Sequence, residues 1–270
     1  MQRNAQAAFT LFELLVLIAV LILLAAAISP VLARSRPGSR SYQCFNNLRQ
    51  LTSAFHAYAQ DNRGNLVAPD DTTLRPSWVI ITEDALYDIQ KAVFYPYTGS
   101  NILAYGCPAS PYRPVTLIRP YGHSVIRAPR DYSMSHVFGR GDWLDKSYNP
   151  SQRVWRTYAR SDEIVAPSST FLFIDEHPDS INDGALANAC TGAQPYNYQS
   201  EAQIIDYPAN YHSGGCDLSF ADGHVEAHRW QGTKLRNVNL YCGCLLSLNV
   251  PAGDSDVDMK WLAARTTVRR

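Results

Sequence analysis

Apolar residues fill an unbroken stretch near the N-terminus of the chain. Residues 9–29 read FTLFELLVLIAVLILLAAAIS, in which Glu13 is the one charged side chain. At about 1.5 Å of rise per residue, a helix of this length spans the roughly 30 Å of a bilayer core. The pattern predicts a transmembrane helix at 9–33, in which an unpaired Glu13 would cost about 3 kcal/mol. A secretory signal cleaved at residues 25–27 is the alternative.

A second periodic segment follows the break expected at Pro37 and Gly38. Its apolar residues recur at spacings of four and three, which is typical of one face of an amphipathic helix. They are Cys44, Leu48, Leu51, Phe55 and Tyr58. We predict a hinge and helix within 34–62, with the helix at 41–61 and its apolar face packed on a sheet.

The rest of the chain, 63–270, alternates short apolar runs with Pro and Gly. Runs at 78–82, 93–97 and 102–107 predict strands, turns and one short helix. The run TFLFI at 170–174 is rich in β-branched and aromatic residues and predicts a buried strand. Asp222 and Gly223 lie between two alternating runs and predict a tight hairpin, because Gly accepts positive φ.

Charge and cysteine content narrow the class of protein. The 24 basic and 24 acidic side chains cancel, so no net field favours nucleic acid as a partner. The six cysteines form an even set without Cys-x-x-Cys pairs, which favours disulfides in an exported domain over a zinc ribbon. They are Cys44, Cys107, Cys190, Cys216, Cys242 and Cys244.

An acidic segment, DEHPDSINDG at 175–184, follows the predicted buried strand. Clustered oxygen ligands suit Ca²⁺, although the spacing is not that of an EF-hand. The candidate ligands are Asp175, Glu176, Asp179, Asn182 and Asp183. The alternative is that these side chains form Asx-turns and caps without an ion. The chain has no recognisable nucleophile motif or phosphate-binding glycine loop, so we predict no enzyme.

The N-terminal residues resemble a known family. Residues 8–15, AFTLFELL, are similar to the class III signal of type IV prepilins and type II secretion pseudopilins. The resemblance implies that a prepilin peptidase removes a leader at 1–8, cutting between Ala8 and Phe9, and methylates the new amino group. The family prefers Gly where this chain has Ala8. The new ammonium and the Glu13 carboxylate carry opposite charges and can pair between neighbouring subunits.

The C-terminal region carries a second resemblance. Nine residues separate His212 from Asp222-Gly223, which is similar to the His-x9-Asp-Gly motif of a group of prepilin-like proteins. The resemblance implies a disulfide between Cys44 and Cys107. The four remaining cysteines then allow three pairings. A bridge between Cys242 and Cys244 would close a ring over a single Gly, which needs strained geometry. The favoured pairings tie Cys190 and Cys216 to Cys242 and Cys244. We predict a structural role for His212 rather than metal binding or catalysis.

Together these observations predict an α+β, pilin-like fold, in which a long N-terminal transmembrane helix packs on an antiparallel β-sheet with irregular insertions. The implied function is a non-enzymatic, membrane-anchored subunit that assembles into, or primes, a type II secretion or type IV pilus-like filament. The implied location is the inner membrane, in a single pass, with the C-terminal domain periplasmic or extracellular. Implied partners are prepilin peptidase, other pilin-like subunits, the inner-membrane assembly platform and membrane lipid.

Three other functions remain open on the sequence. The first is a major pilin or adhesin subunit. The second is a membrane-tethered extracellular domain that binds glycan or metal without entering filaments. The third is an exported hydrolase that uses His212 with a carboxylate.

Overall fold

A computed structural model describes residues 11–34, 39–69, 75–80, 89–111, 115–119, 122–126, 130–145, 154–190, 202–238 and 245–270. The predicted cleavage site at Ala8 and Phe9 lies outside these residues, and so do Cys242 and Cys244.

Two long helices come first in the chain. Helix α1 spans Leu11–Arg34 and helix α2 spans Arg40–Asp61. Ser39 has an extended backbone, and its hydroxyl accepts a hydrogen bond from the Tyr42 N–H at 3.2 Å, which caps the start of α2. Three shorter helices follow, α3 (Asp142–Asp145), α4 (Thr233–Arg236) and α5 (Asp256–Ala263).

The central sheet has five strands. Their spatial order is β5 (Ala185–Leu186), β3 (Tyr132–Ser135), β4 (Phe171–Asp175), β7 (Gly215–Phe220) and β8 (Val225–Arg229). β5 runs parallel to β3, whereas the other neighbours are antiparallel. Two antiparallel pairs lie outside it, β1 (Val115–Arg119) with β2 (Gly122–Ile126) and β6 (Gln203–Ile204) with β9 (Val250–Pro251).

The two strand predictions that rest on local pattern are confirmed. All five residues of β4 are buried, as expected for an apolar run in the middle of a sheet. β7 and β8 form the predicted hairpin, and Gly223 in its turn has a φ of +102°. That backbone conformation favours glycine because it has no Cβ.

Helix α2 is the layer that covers this sheet. The predicted apolar residues Cys44, Leu48, Leu51, Phe55 and Tyr58 are all buried. The Phe55 ring meets two other rings edge-on, those of Phe94 and Phe138, at centroid distances of 6.5 and 5.4 Å. Thr52 donates a hydrogen bond to the Ser219 hydroxyl of β7 at 2.8 Å. The predicted amphipathic helix is therefore confirmed, together with its packing on the sheet.

The region between α2 and the sheet holds 3₁₀ turns at two of the predicted short runs. They include Pro96–Thr98 and Ile102–Tyr105. Asn101 caps the second turn, since its side chain accepts a hydrogen bond from the Leu103 N–H at 3.1 Å. Short polar caps and prolines stabilise such turns where a run is too short to pair in a sheet.

The predicted long transmembrane helix packed on an antiparallel sheet is wrong. The extended backbone of Ser39 separates α1 from α2, α2 rather than the whole region packs on the sheet, and β5 makes that sheet mixed. Across the described ranges, no helix combines the length and the apolar character needed to cross a membrane. This finding gives no support to the predicted single-pass placement in the inner membrane. The confirmed part of the fold prediction is the combination of helices with a sheet, which here has five strands.

Candidate functional site

The two halves of the His-x9-Asp-Gly motif lie at opposite ends of β7. Asp222 is in the hairpin turn, where its Oδ1 accepts hydrogen bonds from the His224 N–H at 3.1 Å and lies 2.6 Å from the His224 ring Nδ1. Both side chains are partly exposed. Asp222 and Gly223 therefore shape the turn, which is the role the sequence predicts for them.

His212 lies at the other end, in the turn that leads into β7. Its side chain is buried, and Nε2 lies 3.1 Å from Asp175 Oδ2 and 3.4 Å from Asp217 Oδ2. The same nitrogen lies 3.3 Å from Cys107 Sγ. Three possible acceptors therefore surround one ring nitrogen, whose single N–H can make only one good hydrogen bond.

Strand pairing brings these residues together. β4 and β7 are antiparallel neighbours with Ile174 opposite Leu218, which places Asp175 beside Asp217. The Asp217 N–H donates to Asp175 Oδ2 at 2.8 Å, and the Tyr211 hydroxyl donates to Asp175 Oδ1 at 3.4 Å. The two carboxylates are thus held in place by the sheet and by the turn that carries His212.

The carboxylates make this part of the core electronegative. Burial raises the pKa of Tyr132 well above its ordinary value, and the nearby charges of Asp175, Asp131 and Asp217 raise that pKa further. The Tyr132 hydroxyl stays neutral and donates to the Cys44 carbonyl at 3.4 Å. A nearby positive charge is therefore favoured at this site.

The predicted disulfide between Cys44 and Cys107 is confirmed and forms one wall of the site. The two Cα atoms are 5.1 Å apart, and the bridge joins α2 to the second residue after the Ile102–Tyr105 turn. Asp131 Oδ2 accepts a hydrogen bond from the Cys107 N–H at 2.7 Å, which fixes that residue against the sheet.

Cys190 and Cys216 differ from the predicted bridges. Both are free thiols and both are buried. Burial raises the pKa of Cys190 to about 12 and that of Cys216 well above its ordinary value. Neutral thiols pack as small apolar groups, which is how these two cysteines contribute to the core.

The four acidic candidates among the calcium ligands, all of them described residues, do not come together. Asp175 faces His212, whereas Glu176, one residue later, hydrogen-bonds Ser133 because successive side chains point to opposite faces. Asp183 accepts a hydrogen bond from the Ala185 N–H at 2.7 Å, as in an Asx-turn. Asp179 joins no group of three His, Cys, Asp or Glu ligands among the described residues. The turn-and-cap alternative therefore describes Asp183.

In the part of the chain that the structure describes, two groups of at least three such ligands lie close together. One is Cys44, Cys107 and His212, and the other is Asp175, His212 and Asp217. The first is closed by the disulfide. The second offers one nitrogen and two carboxylates that could hold a divalent cation.

A wide groove opens beside the disulfide. Its volume is about 760 Å³, and its lining includes Gln43, Asn47, Leu103, Cys107 and Asp131. Asn47 of α2 is hydrogen-bonded to two other residues that line the groove. Its side-chain amide donates to the Leu103 carbonyl at 3.1 Å and to the Gly106 carbonyl at 2.8 Å. Cys107 thus lines the groove, and its sulfur lies 3.3 Å from His212 Nε2.

A second buried polar network lies around Glu176. The Arg130 guanidinium donates to the Tyr132 carbonyl and to Ser133 Oγ, and Ser133 in turn donates to Glu176 Oε2. Burial and the Asp206 carboxylate raise the pKa of Glu176 well above its ordinary value. Burial raises the pKa of Asp206 to about 8, and the Asp183 carboxylate adds to that shift.

These raised values predict a pH dependence of stability. Asp206 keeps its proton in the folded chain up to a pKa of about 8, but loses it near 3.8 when unfolded. The free energy of unfolding therefore falls as pH rises between these values, by up to about 1.4 kcal/mol per pH unit. We expect Asp206→Asn, which cannot ionise, to flatten this fall in urea titrations at pH 5 and pH 8.

Asp254→Asn is the matched control. The Thr233 side chain and backbone N–H donate hydrogen bonds to Asp254 and lower its pKa. Asp254 therefore stays ionised throughout the range from pH 5 to pH 8. Its loss of stability from pH 5 to pH 8 should equal that of the wild type. An equal loss in Asp206→Asn and the wild type would contradict the assignment to Asp206.

Sequence reasoning found His212 but missed Asp217, Arg130 and Asp206. One signal for Asp217 was present: alternation in β7 places it on the same face as Ser219, the face that α2 covers. A carboxylate on a covered face needs a polar partner.

Comparisons with family models, with curated proteins and with solved structures give no match to this chain. The description of the site therefore rests on its own geometry.

Proposed function

We propose that this chain is a non-enzymatic, pilin-like subunit that assembles with further copies, or with related subunits, through helix α1. The observation that supports this most directly is the apolar surface of α1. The large apolar side chains among residues 11–23 are 44–75% exposed, and none of them is buried by the other residues that the structure describes.

The exposed surface of α1 surrounds the helix. Leu14, Leu15, Val16, Leu17 and Ile18 are consecutive and are each between 44 and 57% exposed. Since consecutive residues are about 100° apart around a helix, these five side chains cover all of its sides. A helix that is apolar on all sides is normally buried. A bundle of the same helix from several copies supplies such burial, whereas pairing with one copy leaves the far side exposed.

Glu13 gives the bundle a fixed stagger. It lies in the first turn of α1, beside the exposed side chains of Leu11 and Phe12. In a bundle its carboxylate needs a positive partner. The resemblance of residues 8–15 to a prepilin signal supplies one, since peptidase cleavage before Phe9 leaves an ammonium group that a neighbouring copy can present to Glu13.

The folded domain is then the outward-facing part of the filament. The Cys44–Cys107 disulfide supports export, because disulfides persist in oxidising compartments outside the cytoplasm. Burial of His212 between Asp175 and Asp217 supports a non-enzymatic role over a hydrolase, since a side chain that is only 3% exposed offers little access to a bulky substrate. A type II secretion or type IV pilus-like machinery is the setting that the resemblance favours.

The test compares two Glu→Gln variants. We expect Glu13→Gln to leave the folded domain unchanged and to lower the assembled fraction severalfold, because Gln keeps the size of Glu but cannot pair with an ammonium. The measurement is the fraction of methylated, cleaved chain that sediments after co-expression with a prepilin peptidase. The control is Glu226→Gln, which removes a charge that lies 3.8 Å from Arg265 in the folded domain. Sedimentation of Glu13→Gln at the wild-type level would count against the proposal.

A further inference from the structure

The cluster of Asp175, His212 and Asp217 has the arrangement of a metal site. Its three donor atoms are His212 Nε2 and one carboxylate oxygen from each Asp, and they all lie within 4.8 Å of one another. We propose that these three residues bind one divalent transition-metal ion of the Zn²⁺ class. The site lies within the folded domain and is independent of assembly through α1.

The distances fit the edges of a small coordination sphere. Donor atoms that each lie about 2.0–2.2 Å from Zn²⁺ at tetrahedral angles are about 3.3 Å apart. The Nε2 atom of His212 lies 3.1 Å from one carboxylate oxygen and 3.4 Å from the other. Two of the three donor–donor distances thus match a tetrahedral coordination sphere, and the third, between the two carboxylate oxygens, is within 4.8 Å.

The ligands are held in position by the sheet. Asp175 ends β4, and its carboxylate accepts hydrogen bonds from the Asp217 N–H at 2.8 Å and from the Tyr211 hydroxyl at 3.4 Å. His212 follows directly on Tyr211, and the backbone N–H of His212 donates to the Gly215 carbonyl at 3.1 Å. Such outer contacts orient metal ligands and raise metal affinity.

The chemistry of the donors selects the ion. Imidazole nitrogen with two carboxylates suits Zn²⁺ and its neighbours in the transition series, whereas Ca²⁺ and Mg²⁺ prefer oxygen ligands alone. A doubly charged cation also balances both carboxylates when the imidazole is neutral. Buried charges are stable when they are paired in this way or coordinate a metal.

The groove and the site share one residue. Cys107 lines the groove, and its sulfur lies 3.3 Å from His212 Nε2. While Cys107 remains in the disulfide its sulfur is a poor ligand, so the oxidised chain binds the ion with nitrogen and oxygen donors.

The test is metal titration of the full chain in detergent, oxidised and stripped with a chelator. We expect calorimetry with ZnCl₂ to give one ion per chain and a Kd of about 1 µM or below. His212→Gln and Asp217→Asn should each weaken binding by about 100-fold or more. The control His224→Gln, which alters the exposed histidine paired with Asp222, should bind like the wild type.

The visible spectrum of bound Co²⁺ reports on the ligands directly. It is measured on the wild-type chain, so this test does not depend on whether the variants fold. Co²⁺ in the wild-type chain should give the visible spectrum of a tetrahedral site without a sulfur-to-metal band. Absence of Zn²⁺ uptake by the wild type would overturn the proposal. Uptake only after reduction, or a sulfur-to-metal band, would assign the ion to the cysteines and would equally overturn it.

Discussion

Replacing both Cys44 and Cys107 by Ala is expected to lower the free energy of unfolding of the domain by about 4 kcal/mol. The bridge closes a loop with a sequence separation of 63 residues, and a cross-link of that length restricts the unfolded chain strongly. It also ties α2 to the residues that wall the His212 cluster. Urea denaturation of the oxidised wild type and of the double variant measures the difference.

Cys190→Ala is the matched control for the disulfide. Cys190 is buried and free, so its replacement removes a buried sulfur without removing a cross-link. Its expected cost is about 1 kcal/mol, the cost of one small buried group. Wild-type chain in reductant should unfold at the same urea concentration as the double variant. If the double variant is no less stable than Cys190→Ala, the bridge does not hold α2 to the domain.

Val16→Arg is expected to abolish assembly of the chain into sedimentable filaments. Val16 is 47% exposed in the middle of the apolar part of α1. In a bundle of α1 helices every copy would bury one unpaired guanidinium, at a cost of several kcal/mol each. Since 1.4 kcal/mol corresponds to about tenfold in an equilibrium constant, the assembled fraction should fall by well over tenfold. Thermal unfolding of the folded domain should not change.

Val165→Arg provides the control for this prediction. Val165 is 56% exposed in the folded domain, so the same substitution is made at a similarly exposed valine outside α1. We expect this variant to assemble like the wild type. Equal loss of assembly in both variants would indicate a general effect of added charge, and normal assembly of Val16→Arg would contradict a role for α1.

Local patterns in the sequence predicted the elements whose cause is local. The stripe from Cys44 to Tyr58 predicted α2, because one face of a helix repeats every three to four residues. The Asp222-Gly223 pair predicted the hairpin, because its turn requires a positive φ at Gly223. The Cys44–Cys107 bridge came from resemblance rather than from pattern, since spacing alone leaves several pairings open.

The features that sequence reasoning missed depend on distant contacts. The parallel pairing of β5 with β3 joins segments about 50 residues apart, for which no local signal exists. The metal-type cluster joins the end of β4 to β7, and strand alternation places the Asp175 and Glu176 side chains in different surroundings. The predicted ends of the apolar stretch and of the helix after it lie within one residue of the end of α1 at Arg34 and the start of α2 at Arg40, and the error concerns the membrane-spanning character, which no helix among the described residues has.

The most direct test of assembly through α1 is disulfide crosslinking of a cysteine introduced into that helix. Leu17→Cys places a thiol at a position that is 49% exposed, and the natural free thiols Cys190 and Cys216 are both 0% exposed and should not react. The proposal predicts that mild oxidation of assembled chain joins Leu17→Cys copies into dimers, while Val165→Cys and the wild type remain at background. Crosslinking of Val165→Cys together with monomeric Leu17→Cys would show that copies meet through the folded domain and would contradict the proposed function.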